Sequence, residues 1–170
     1  HTAILADLQG PKIRIGELKK IKLKKGDQIT ICTRVKRNTI FINYNRFAKE
    51  VEIKDKVLID DGKITLSVIE TNKKDTVRLK VLFGGLLTSN KGVNLPNTNI
   101  SLPCLTKKDK SDLNFVLAEQ IEWVALSFVR SANDIKALKK IIKGQKGHHK
   151  IIAKIEKPEA IKEIDSIISE

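Results

Sequence analysis

From about residue 98 onward the sequence alternates strand and helix, and this limits the possible fold more than any other feature. Ile121–Phe128 (IEWVALSF) and His149–Glu156 (HKIIAKIE) are short apolar runs rich in β-branched residues, the pattern of buried strands. Thr106, with Asp109 three residues on, reads as the N-cap of a helix over Lys107–Gln120. Ser131 and Asp134 repeat that cap before a second helix running to about Lys143. Pro158 suits the first turn of a third helix, with Ile161, Ile164 and Ile168 near one face. The two strands lie about 29 residues apart, a comfortable length for one parallel β/α repeat. Thr2–Leu8 (TAILADL) adds another apolar strand, ended by the breaker Gln9-Gly10-Pro11. That makes about three parallel strands, whereas a closed (β/α)₈ barrel needs eight in roughly 250 residues. Three strands leave an open apolar edge. The abrupt ends of the chain and this shortfall lead us to expect a piece of a barrel.

The middle of the chain, about 17–97, has a different rhythm. Gln28–Cys32, Thr39–Asn43 and Thr76–Phe83 read as short strands, and Val57–Ile69 as a hairpin turning at Asp61-Gly62. Short strands, close turns and no long helical pattern predict a small antiparallel barrel.

Composition removes several function classes. No run of about 18 apolar residues exists, so no membrane span is expected. Cys32 and Cys104 form no C-x-x-C pair and the three His residues are scattered, so no zinc site is suggested and a reducing cytoplasm is expected. The net charge of +13 favours anionic partners. One reading is a basic β-barrel module for nucleic acid or another anionic polymer. One Trp, one Tyr and five Phe provide few stacking platforms, which argues against single-stranded nucleic acid. A solvated Lys-rich surface accounts for the charge equally well.

The run Ile151-Ile152-Ala153-Lys154-Ile155-Glu156 carries an ammonium and a carboxylate inside an apolar strand. Alternation puts both side chains on one face. They form either a structural salt bridge or part of an active site, and spacing alone leaves both open. Asp7, Ser127, Lys154 and Glu156 all fall at C-terminal strand ends, where β/α barrels place their chemistry.

Six stretches, in order along the whole chain, resemble the pyruvate kinase family. They are Ala6-Asp-Leu-Gln-Gly-Pro-Lys-Ile-Arg-Ile-Gly16, Asp60-Asp-Gly62, Lys91-Gly-Val-Asn-Leu-Pro96, Leu102-Pro-Cys-Leu-Thr-Lys-Lys-Asp109, Val124-Ala-Leu-Ser-Phe-Val-Arg130 and Ile152-Ala-Lys-Ile-Glu156. The resemblance implies an α/β fold: a partial (β/α)₈ TIM barrel with an inserted small antiparallel β-barrel cap. The barrel pieces would be 1–11 and 99–170 and the cap 12–98. The family's N-terminal segment, later barrel strands and C-terminal domain would lie outside the sequence.

The implied reaction is phosphoryl transfer from phosphoenolpyruvate to ADP, giving pyruvate and ATP. Such chemistry depends on positioning and charge neutralisation. Lys154 matches the catalytic lysine, which also contacts substrate, and Glu156 a Mg²⁺ or Mn²⁺ ligand. The family's second metal carboxylate belongs to a later strand, so this polypeptide alone is expected to be inactive. Arg14 and Lys91 match contacts to the nucleotide phosphates. Asp7, and Leu8 through its carbonyl, match a monovalent-cation site. Ser127 and Phe128 match residues lining the substrate pocket. Potassium-dependent members often carry Glu where Lys12 stands, and a lysine there would replace K⁺. Asp60 and Asp61 either build the hairpin turn, the reading we prefer, or approach the metal–nucleotide complex when the cap closes. The resemblance further implies a cytoplasmic homotetramer, with no nucleic-acid or membrane partner.

Overall fold

A computed structural model describes residues 2–170. The chain forms two compact units. The segment ending at Pro11 joins Leu102–Glu170 in one, and Lys12–Ser101 forms the other. The first element is β1 (Leu5–Leu8). Lys12–Ser101 then contributes β2 (Ile21–Leu23), β3 (Gln28–Cys32), β4 (Ile40–Phe41), the single-turn α1 (Phe47–Glu50), β5 (Lys56–Ile59), β6 (Ile64–Thr71), β7 (Thr76–Phe83), β8 (Gly85–Leu87) and β9 (Val93–Asn94). After it come α2 (Lys107–Ala118), β10 (Trp123–Leu126), α3 (Ala132–Gly144), β11 (Lys150–Ala153), α4 (Pro158–Lys162) and α5 (Ile164–Ile168).

In the first unit β1, β10 and β11 form a parallel sheet in that order. Leu8 pairs with Leu126 and Leu126 with Ala153. The three strands therefore end in register, and Ser127 and Lys154 emerge side by side. One face is covered by α2, α3 and α5 through a core that includes Leu113, Val124, Leu126, Leu138 and Ile167. Each such side chain contributes about 1.5–3 kcal/mol of burial. Both long helices start at capping boxes, Thr106 with Asp109 and Ser131 with Asp134, as their sequences predict.

Several expectations need adjustment, among them the strands predicted over Thr39–Asn43 and Ile121–Phe128, which shorten to Ile40–Phe41 and Trp123–Leu126. The strand predicted over Thr2–Leu8 begins at Leu5. The strand predicted to reach Glu156 ends at Ala153, because β10 stops at Leu126 and offers β11 one further backbone contact, Lys154 N to Leu126 O at 3.0 Å. The helix predicted after Pro158 is two short segments broken at Glu163. That break rotates the face: Ala160 and Ile167 are buried, while Ile161 is 63% and Ile168 75% exposed.

In the second unit the sheet order is β4-β3-β7-β6-β5-β9, with β2 and β8 paired separately. All pairs in the larger sheet are antiparallel except β3 with β4. Residues 13–16 tie its two outer strands together. Val93 N donates to Ile13 O at 2.9 Å on one side, and Gly16 N to Phe41 O at 2.8 Å on the other. Ile15, Ile31, Ile42, Leu66 and Leu79 fill the interior with less than 2% exposure. The hairpin between β5 and β6 turns through Asp60, Asp61 and Gly62, all at positive φ.

Candidate active site

The register of the parallel sheet brings together four of the side chains singled out from sequence. Lys154 Nζ lies 3.0 Å from each carboxylate oxygen of Asp7 and 3.1 Å from Ser127 Oγ. Ser127 Oγ has a single proton, which it donates to the Leu8 carbonyl at 2.7 Å. It therefore accepts from the ammonium. Glu156 Oε1 stands 3.7 Å from Lys154 Nζ, beyond hydrogen-bond length, while its Oε2 accepts from the Phe128 amide at 3.0 Å. The Lys154–Glu156 pair is thus a long ion pair, and the tighter partner of the ammonium is Asp7.

Electrostatics keep this lysine charged. Burial by itself pulls its pKa down. The hydrogen bond it donates to Asp7 and the charges of Glu156 and Asp7 outweigh that pull and hold the ammonium above its usual range. The Lys154 side chain remains 32% exposed, so the charge faces accessible space. Three residues on, Lys157 is buried, and burial lowers its pKa.

The turn after β10 is fixed from behind. Cys104 Sγ donates to the Ser127 carbonyl at 3.0 Å. Burial, with the nearby charge of Asp134, pushes that thiol up to about 12, so it stays protonated. The fully buried Asp109 accepts from Gly10 N at 3.0 Å through one oxygen and from Thr106 N at 2.8 Å through the other. Sequence pattern marks Asp109 as a helix cap. Its link to Gly10 spans 99 residues and has no local signature.

Arg14 and Lys91 belong to the second unit. Arg14 forms a β-bridge with Gly92, next to Lys91. Arg14 Nη1 donates to the Asn90 carbonyl at 2.6 Å. Lys91 Nζ pairs with Asp60 Oδ1 at 2.9 Å, and Lys91 is the main cause of the lowered pKa of that carboxyl. Asp60 therefore does more than shape a turn. The Lys12 carbonyl accepts from Asn43 Nδ2 at 3.3 Å.

Residues 1–170 match the family described as pyruvate kinase, barrel domain. The chain belongs to the pyruvate kinase family. It is 42% identical over 174 residues to pyruvate kinase 2 of Synechocystis sp., covering 97% of this chain and 29% of that protein. It is 38% identical to pyruvate kinase of Corynebacterium efficiens and 37% identical to that of Mycobacterium tuberculosis, each match covering 97% of this chain and 36% of the relative. The chain thus spans about a third of the length of the curated relatives it matches.

Among the described residues, no group of three or more His, Cys, Asp or Glu side chains is arranged to hold a metal ion. Glu156 still fits a Mg²⁺ bound mainly by substrate oxygens and water, since such sites need only one or two protein carboxylates. Its Oε1 lies outside hydrogen-bond distance of Lys154, and its side chain is 36% exposed.

Proposed function

We propose that the gene product carrying this chain is a pyruvate kinase that transfers the phosphoryl group of phosphoenolpyruvate to ADP. The bond from phosphorus to the enol oxygen breaks, and a bond forms to a terminal oxygen of ADP. The enolate left behind takes a proton and becomes pyruvate. The observation that carries this reading is Lys154, held charged at the ends of three parallel strands by Asp7 and Ser127. A fixed cation there neutralises charge on the phosphoryl oxygens and on the enolate oxygen without reorganising during the reaction. Ser127 keeps the ammonium aimed while contributing to the substrate pocket. A divalent cation bound through Glu156 would add further neutralisation of the phosphoryl group. Arg14 and Lys91 would exchange their present partners, the Asn90 carbonyl and Asp60, for nucleotide phosphates.

In this reading residues 1–11 and 99–170 are part of a (β/α)₈ barrel, and 12–98 a β-barrel cap inserted into it. The whole protein is a cytoplasmic homotetramer, and the 170-residue piece alone is inactive. Asp7 and the Leu8 carbonyl belong to the monovalent-cation position, and Lys12, which stands where potassium-dependent members often carry Glu, makes K⁺ dispensable. Activity of the full-length gene product is then expected to be the same in Na⁺ and K⁺ buffers. A large activation by K⁺ would remove Lys12 from that role.

The central test is Lys154→Ala in the full-length gene product. A fall in kcat of at least about 100-fold is expected for loss of a preorganised charge at the reacting group. Unchanged turnover of phosphoenolpyruvate and ADP in the folded variant would discard the reading.

A further inference from the structure

We propose that the left-handed backbone at Phe128, seated against Gly10, is a positioning device that aims Glu156 and keeps its ion pair with Lys154 long. The inference rests on the reading of Glu156 as a divalent-cation ligand and concerns what holds that carboxylate in place.

Phe128 has φ 56°, a conformation that a bulky side chain adopts at a cost of about 1–2 kcal/mol. Such strain persists only where the surroundings impose it. Here the surroundings are identifiable. The turn aims the Phe128 amide at Glu156 Oε2, 3.0 Å away. Behind the turn, a Cβ on Gly10 would lie 3.0 Å from both Phe128 Cδ2 and Ser127 Cβ, closer than nearly all real Cβ contacts. Gly10 itself sits at φ +66° and is held by the buried carboxylate of Asp109. A rigid path therefore runs from the start of α2 through Asp109 and Gly10 to the amide that grips Glu156.

The consequence lies in the distances. With Oε2 held by the amide, Oε1 stays 3.7 Å from the ammonium. Released, the carboxylate would be free to shorten that long ion pair to hydrogen-bond distance and turn both its oxygens to Lys154. Positioning by Phe128 keeps the ammonium and the carboxylate available together.

The test uses the full-length gene product, Mn²⁺ alone as probe, and two readouts independent of turnover. These are the Mn²⁺ dissociation constant by electron paramagnetic resonance and amide exchange of the peptide containing Phe128 by mass spectrometry. Phe128→Gly and Phe128→Asn accept the left-handed backbone, whereas Phe128→Val opposes it. Gly and Asn are expected to keep both readouts near the parent values. Val is expected to weaken Mn²⁺ binding about 10-fold or more and to speed exchange. Gly10→Ala should behave like Val, and it carries the comparison if the Val variant does not fold. Equal effects of Val, Gly and Asn on both readouts would overturn the proposal. Glu156→Ala, which removes both the metal ligand and the acceptor of the Phe128 amide, separates it from the cation reading. Unchanged Mn²⁺ affinity in that variant refutes Glu156 as a ligand. Exchange at Phe128 then still decides the positioning contact: faster exchange sustains it, and unchanged exchange refutes it.

Discussion

Asp7 presents both carboxylate oxygens to Lys154 at 3.0 Å, so it controls the charge of the ammonium as well as its place. The two roles separate in part in Asp7→Asn, which keeps size and one acceptor oxygen but removes the negative charge. Asp7 contributes to the upward shift of the Lys154 pKa, so the charged form persists to higher pH than for an ordinary lysine. Without that charge the ammonium loses its proton at lower pH. The alkaline limb of the kcat/KM profile of the full-length gene product is therefore expected to move downward in Asp7→Asn. An unmoved limb would show that Lys154 is not the group titrating there. Sequence placed Asp7, Ser127, Lys154 and Glu156 at strand ends but left the Lys154–Glu156 pair open between salt bridge and site. The structure makes it a long ion pair at 3.7 Å with the second oxygen on the Phe128 amide, and no residue spacing reports either of them.

At the level of elements, the two capping boxes look alike in sequence and differ in burial. Asp109 is fully buried and also holds Gly10, whereas Asp134 is only partly buried and accepts from the amides of Arg130 and Ser131. Asp109→Asn turns an amide group toward the Thr106 donors inside a dry site. It is expected to cost about 2–3 kcal/mol, against about 1 kcal/mol for Asp134→Asn. Urea unfolding of the two variants measures the difference, and equal losses would show that the deeper burial of Asp109 adds nothing. The caps, the β/α alternation and the Asp60–Gly62 hairpin were legible because each is written in a few adjacent residues. The long-range part was not. The early end of β11 depends on where its neighbour β10 stops, and the broken helix after Pro158 on a kink at Glu163 that a repeat of isoleucines does not reveal. The Asp60–Lys91 pair lies 31 residues apart in the chain and is set by the sheet that places β9 beside β5.

At the scale of the whole chain, the parallel sheet ends on both sides at strands with a single partner, β1 and β11. Parallel sheets are otherwise covered and continuous, because an unpaired edge exposes a row of backbone donors and acceptors. The apolar surface around these edges is open too. Ile4 is 54%, Leu5 49% and Ile152 39% exposed. Beside β11 an apolar groove of about 930 Å³ is lined by Trp123, Ile135, Ile142, Ile151, Ile167 and Ile168, among others. Lysines at its margin, among them Lys139, Lys143 and Lys146, oppose association by like-charge repulsion, and salt screens that repulsion. The isolated 170-residue polypeptide, 19.1 kDa, is therefore expected to self-associate, and to do so more strongly as ionic strength rises. Light scattering after size exclusion at low and high salt measures this. A mass fixed at 19.1 kDa under both conditions would mean that the lysine margin, rather than further pairing of the strands, suffices to protect the edges.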